Sequence, residues 1–252
     1  MESDLLQYEP DVVFLEFSVN DSNQAFFQET FEGIVRRILS AKSAPALFMF
    51  NNVQYDDGVN AQEVHNAIGR YYDLPIVSMK ESIFEEIRAG RISAQEITPD
   101  NLHPNDKGHR MVADVICHLL EKIKRNIEET DALKEGVEAP YIMPEKTITP
   151  NRFEQSVRYQ NGIHLPLPAE GVQMSMSGFA ADERVQEYGV ADVFKNGWSA
   201  MEKGSFFEIA VEASYISVQF RKTIRKPAPV ARAVVDGNEK NAVILDANFD
   251  ET

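Results

Sequence analysis

Val12-Val13-Phe14-Leu15-Glu16-Phe17, running into Ser18-Val19-Asn20-Asp21-Ser22-Asn23, is the stretch on which the fold turns. A short run of β-branched and aromatic residues reads as a strand buried on both faces, and the polar residues after it read as a loop at its carboxyl end. From Phe27 onward apolar side chains recur at Phe31, Ile34, Val35, Ile38 and Leu39, the one-sided spacing of a helix lying on a sheet. Downstream the alternation repeats. Residues 46–50 predict a second strand, 61–72 a second helix with Val64, Ile68 and Tyr71 on one face, and 74–78 a third strand. Ile83, Phe84 and Ile87 mark another helix closed near Gly90, and Met111, Val112, Val115, Ile116, Leu119, Leu120 and Ile123 mark a long one over about 106–124. Strands and helices in this order predict a parallel sheet with helices on both faces. Three parallel strands leave the first with an unpaired apolar edge, so strands preceding Met1 are expected.

From Glu128 a charged stretch punctuated by Pro140, Pro144 and Pro150 reads as a linker. After it the period becomes two: Val172, Met174 and Met176 alternate with polar residues, as do Ile216, Val218 and Phe220. Asp236-Gly237 is a hairpin signal between 231–235 and 243–247. The expected organisation is an α/β domain over 1–127, a linker over 128–150 and a β-sandwich or jelly roll over 151–252, cut short after its last strand.

Composition excludes some partners. The 252 residues, 43% hydrophobic and 26% charged, can bury a core, and 25 basic against 40 acidic side chains give a net charge of −15. Nucleic acid and anionic membrane surfaces would repel such a protein. No apolar run is long enough to span a bilayer, and Met1-Glu2-Ser3-Asp4 lacks the basic start of a signal peptide. Cys117, the one cysteine, forms no intrachain disulfide, which is compatible with a reducing cytosol without fixing a compartment.

The chemistry points to Thr98-Pro99-Asp100-Asn101-Leu102-His103-Pro104-Asn105-Asp106-Lys107-Gly108-His109. Pro99 and Pro104 keep this segment out of helix, so a short turn can aim Asp100 and His103 the same way. An imidazole serves as a general base when a carboxylate holds its other nitrogen. Asp106 and His109 extend the alternation of Asp and His, but no second ligand cluster accompanies them, and neither a metal nor a cofactor is expected. His65, His118 and His164 have no partner pattern and default to core or surface roles. Trp198 suits a core position or a sugar-stacking surface.

Asn20 after the first strand, with Asp100 and His103 before the last helix, resembles the SGNH hydrolases, or GDSL-type esterases, over about residues 8–124. Ser18-Val19-Asn20-Asp21 is similar to that family's Gly-x-Asn-Asp block, with serine in place of glycine, and Asp100-Asn101-Leu102-His103 to its Asp-x-x-His block. The resemblance implies a flavodoxin-like three-layer fold in which Asn20 donates its amide to an oxyanion, His103 is the general base and Asp100 orients it. It implies hydrolysis of small acyl esters without a cofactor, and the attached β domain extends this to acetylated carbohydrate. The family's Gly-Asp-Ser block occurs nowhere in the 252 residues. The resemblance places that block on a strand upstream of Met1; alternatively, Ser18 or Ser22 substitutes as nucleophile, or the chain is a catalytically incomplete relative that binds glycans or a protein.

Overall fold

The computed structural model describes residues 5–129, 141–159, 161, 172–182 and 197–249. The chain divides into two compact units, Met1–Ser156 and Val157–Thr252.

In the first unit β1 (Val12–Leu15), α1 (Ala25–Leu39), β2 (Ala46–Asn51), α2 (Gln62–Tyr71) and β3 (Ile76–Ser78) follow in order. A π-helical turn (Lys80–Phe84) runs into α3 (Glu85–Arg88), and α4 (Ala94–Ile97) and α5 (Asp106–Glu129) complete the helices. The strands form a parallel sheet in the order β1-β2-β3, with Phe14 opposite Phe48 and Phe50 opposite Val77. Successive strand residues face opposite ways. Val13, Leu15, Leu47 and Met49 therefore pack on Phe31, Val35 and Ile38 of α1 and on Ile68 and Tyr72 at α2. On the opposite face Val77 and Phe50 meet Met79, Ile83, Phe84 and Ile97, covered by Met111, Val112 and Val115 of α5. The result is a three-layer α/β/α arrangement.

Two details differ from the sequence expectation. The short α4 lies inside a stretch that periodicity is too short to reveal, and α5 runs on to Glu129. The buried stripe of α2 is His65, Ile68, Gly69 and Tyr72 rather than Val64, Ile68 and Tyr71. Among the described residues β1 is an edge strand, and its Val12 and Phe14 are 50% and 44% exposed.

Residues 141–156, divided by sequence between a linker and the β-rich domain, lie along α1 as a strap. Glu32, fully buried, accepts hydrogen bonds from the Ile148 and Thr149 amides at 2.9 and 2.8 Å and from the Tyr72 hydroxyl at 2.7 Å. Glu29 takes the Arg152 amide and guanidinium at 2.6–2.8 Å. Arg36, one turn on, pairs with Glu154 at 2.9 Å and donates to the Pro144 carbonyl at 2.9 Å. Spacings of three and four put these side chains on one face of α1, beside the apolar stripe that meets the sheet.

The second unit is strand-rich: β4 (Gln173–Ser177), β5 (Phe179–Ala181), β6 (Trp198–Ala200), β7 (Phe206–Ala210), β8 (Val230–Ala233) and β9 (Val243–Asp246). They pair antiparallel as β4-β7, β5-β6 and β8-β9. Asp236 and Gly237, at φ 52° and 67°, sit in the connection between β8 and β9. The strand expected around Ile216, Val218 and Phe220 does not form; Ile216 and Val218 are 60% and 51% exposed. Alternation makes a strand only where a neighbour takes its backbone hydrogen bonds. Trp198 is half-buried against Phe207, with ring centroids 4.7 Å apart, a packing position. His164 lies outside the described residues.

Candidate active site

Thr98 leaves α4 in extended geometry, and Asp100 closes a turn on itself: its Oδ1 accepts the Leu102 and His103 amides at 3.0 and 2.8 Å. This is the local bonding that makes aspartate a turn former. Asn101 takes the left-handed conformation at φ 68° inside the turn. The other oxygen, Oδ2, lies 2.7 Å from His103 Nδ1. A carboxylate only accepts, so Nδ1 carries the proton and Nε2 of the neutral ring keeps its lone pair, the tautomer a general base needs. The hydrogen bond from His103, reinforced by the two amides, holds the Asp100 carboxyl well below the usual carboxylate range. Both side chains are open to solvent, His103 77% and Asp100 50% exposed.

Residues just past the histidine lock this turn in place. Asn105 donates its amide to the Ile97 carbonyl at 2.9 Å, and its Oδ1 caps α5 by accepting the Gly108 amide at 3.0 Å. A Cβ on Gly108 would stand 2.3 Å from the Ile97 carbonyl oxygen, so no side chain fits there.

Asn20 lies in the turn after β1, where its amide and that of Asp21 both donate to the Phe17 carbonyl at 3.0 and 2.9 Å. Its side chain is exposed and, among the described residues, bonded to nothing. Around it the loop is anchored. Ser18, fully buried, holds the Ala61 amide at 2.7 Å through its carbonyl, and its hydroxyl lies 2.6 Å from Glu16 Oε1 and 2.9 Å from the Asn52 carbonyl. A hydroxyl so enclosed is a bracket and is unavailable as a nucleophile. Asp21 Oδ2 lies 3.0 Å from Nε2 of His65, which is fully buried on α2 and stacked on Phe31.

The two turns share one edge of the sheet, because all three strands are parallel and both turns meet the loop after β2. Ser18 reaches that loop at Asn52; the Tyr55 amide leaves it to donate to the Asn101 carbonyl at 2.7 Å. Burial pushes the Tyr55 phenol up to about 12, so it stays a neutral donor toward Asn52 Oδ1 at 3.3 Å. Open α/β sheets bind ligands at this carboxyl edge. A cleft of about 280 Å³ bordered by Asn23, Asn60, Gln62 and Asn66 includes none of Asn20, Asp100 and His103. The sequence shows no partner for His65; its place four residues after Ala61 and three before Ile68 signals burial, not the Asp21 contact. Among the described residues no cluster of His, Cys, Asp and Glu could hold a metal ion.

Residues 1–111 match the GDSL-like Lipase/Acylhydrolase family. No curated protein matches the chain. Among solved structures it is similar to a two-domain esterase active on acetylated mannans, co-crystallised with mannopentaose. That match has a TM-score of 0.79 and 45% identity, covering 99% of this chain and 62% of that one. A second crystal structure of a two-domain esterase active on acetylated mannans matches at a TM-score of 0.78 and 45% identity, covering 100% of this chain and 63% of that one. The chain therefore spans less than two thirds of the length of these structures. The Asn20 turn and the Asp100–His103 turn, at one sheet edge, both fall within residues 1–111, the part of the chain that matches the GDSL-like Lipase/Acylhydrolase family.

Proposed function

We propose that these residues belong to a serine esterase that removes acetyl groups from mannan-type carbohydrate. The observation that carries this is the 2.7 Å contact between Asp100 and His103 Nδ1 at the carboxyl edge of a parallel sheet. In the proposed reaction His103 Nε2 takes the proton of a serine hydroxyl as it attacks the ester carbonyl, returns it to the departing sugar oxygen, and then takes a proton from the water that splits acetate from the serine, returning it to the serine oxygen. Asp100 holds the ring and balances the imidazolium. The Asn20 amide donates to the oxyanion. The serine in this reading is that of the family's Gly-Asp-Ser block, which does not occur in these 252 residues. The second unit, which we take to complete as a β-sandwich, accompanies a polysaccharide substrate, in keeping with the two-domain relatives at 45% identity.

The test is acetate release from acetylated mannan by the natural protein containing these residues. His103→Ala is expected to lower turnover by about four orders of magnitude or more. Wild-type turnover in that variant would remove the assignment. A natural protein that carries no Gly-Asp-Ser block and releases no acetate would instead support a glycan- or protein-binding role.

A further inference from the structure

His65 is a buried titratable side chain that the proposed reaction does not use. Its ring stacks on Phe31 at 3.8 Å between centroids and 12° between planes, and it is fully buried. Nε2 meets Asp21 Oδ2 at 3.0 Å, while Nδ1 is buried without a hydrogen-bond partner among the described residues. Because Asp21 is an acceptor, Nε2 carries the proton and the lone pair of Nδ1 is the orphan. Burial outweighs the nearby Asp21 carboxylate and lowers the pKa of the ring, which favours this neutral form. An unpaired buried polar group is unfavourable, so an apolar ring would fill the space against Phe31 better. What histidine adds there is the grip on Asp21.

Asp21 is the neighbour of Asn20. The Asn20 side chain makes no bond to a described residue, so its aim is set by the backbone of the turn, pinned at one end by the Phe17 carbonyl and at the other by Asp21. An oxyanion donor is effective when its position is set before charge develops, with tolerances of about half an ångström. We propose that His65 is a positioning residue that aims Asn20 through the Asp21 carboxylate. This rests on the oxyanion role given to Asn20 above.

The experiment measures kcat and KM for acetate release by the natural protein and four single variants. His65→Phe keeps a ring against Phe31 and removes the donor, whereas His65→Gln restores an N–H at the same end. Asp21→Ala removes the acceptor and leaves His65 in place. The expected result is a kcat lowered about ten- to a hundredfold in His65→Phe and in Asp21→Ala at unchanged KM, with most of the loss recovered in His65→Gln. Added to Asn20→Ala, either loss disappears, because the group being aimed is already gone. Wild-type kcat in Asp21→Ala, or losses that multiply with that of Asn20→Ala, would overturn the proposal. If Asn20→Ala itself keeps wild-type kcat, the oxyanion role fails instead, and the positioning role falls with it. Should His65→Phe not fold, Asp21→Ala and its double variant with Asn20→Ala decide alone.

Discussion

Apart from the Tyr55 amide on the Asn101 carbonyl, the turn bearing Asp100 and His103 is held together by its own and adjacent residues, while the side chains that anchor the turn bearing Asn20 reach residues distant in sequence. Asp100 accepts the amides two and three positions ahead and the ring of His103, all within one exposed loop. Asn20 depends on Ser18 reaching Asn52 and on Asp21 reaching His65, contacts 34 and 44 residues apart. The first arrangement is local and solvated, the second non-local and buried. Substitutions should accordingly separate chemistry from stability in the first turn and mix them in the second.

Asp100→Asn is the sharpest break. Asparagine keeps an acceptor for the two amides but reverses the demand on Nδ1, so turnover of the natural protein should fall by about 10³–10⁴-fold. The melting temperature should stay within the small range of an exposed substitution. A parallel collapse of stability would contradict the local character of this turn. Gly108→Ala tests where that turn meets the fold. The added methyl group meets the Ile97 carbonyl at 2.3 Å, and overpacking of this kind destabilises by about 1–3 kcal/mol. Thermal denaturation should show it as a drop of several degrees. Ser18→Ala removes a buried hydroxyl from the Asn20 side, with an expected loss of about 1–2 kcal/mol in denaturant titration. It should also lower turnover less than Asn20→Ala does; unchanged stability would mean the bracket is not holding the loop.

The mildest test is acidification. The hydrogen bond from Arg152 holds the Glu29 carboxyl below its ordinary value of 4.5. A carboxylate lowered on folding contributes stability that is complete above the ordinary value and is lost as pH falls below it toward the folded value. Unfolding monitored from pH 6 down to 3 should therefore lose this contribution in the wild type, and Glu29→Gln should show a smaller dependence.

This contrast also explains how much of the molecule was legible in its residues. Asp100 and His103 are three apart between two prolines, so the spacing itself carried the geometry. The three strands and long helices were legible because each buries apolar residues with a regular period. His65 was not legible as a partner of Asp21, because the apolar pattern around Val64, Ile68 and Tyr71 turns the helix slightly away from the stripe it buries. Nor was the strap: Glu29 and Glu32 look like solvated helix residues until Arg152 and Thr149 return to them. At Ile216 and Val218 the alternation is present but, among the described residues, no strand pairs with it.

The return of the strap has a consequence for how the first unit forms during synthesis. Strands β1, β2 and β3 are neighbours in both sequence and space, so each can dock on its predecessor as it emerges. Glu32, buried in the finished unit, must wait for Ile148 and Thr149, 116 and 117 residues later. Until then a nascent chain carries a charged carboxylate on an open helix face, where water satisfies it. The loop closure that replaces this water is slow to arrive but adds little entropic cost for its length. Docking of the strap is thus the late step that completes the unit, and a ribosome-bound chain ending before residue 148 should display α1 with that face still wet.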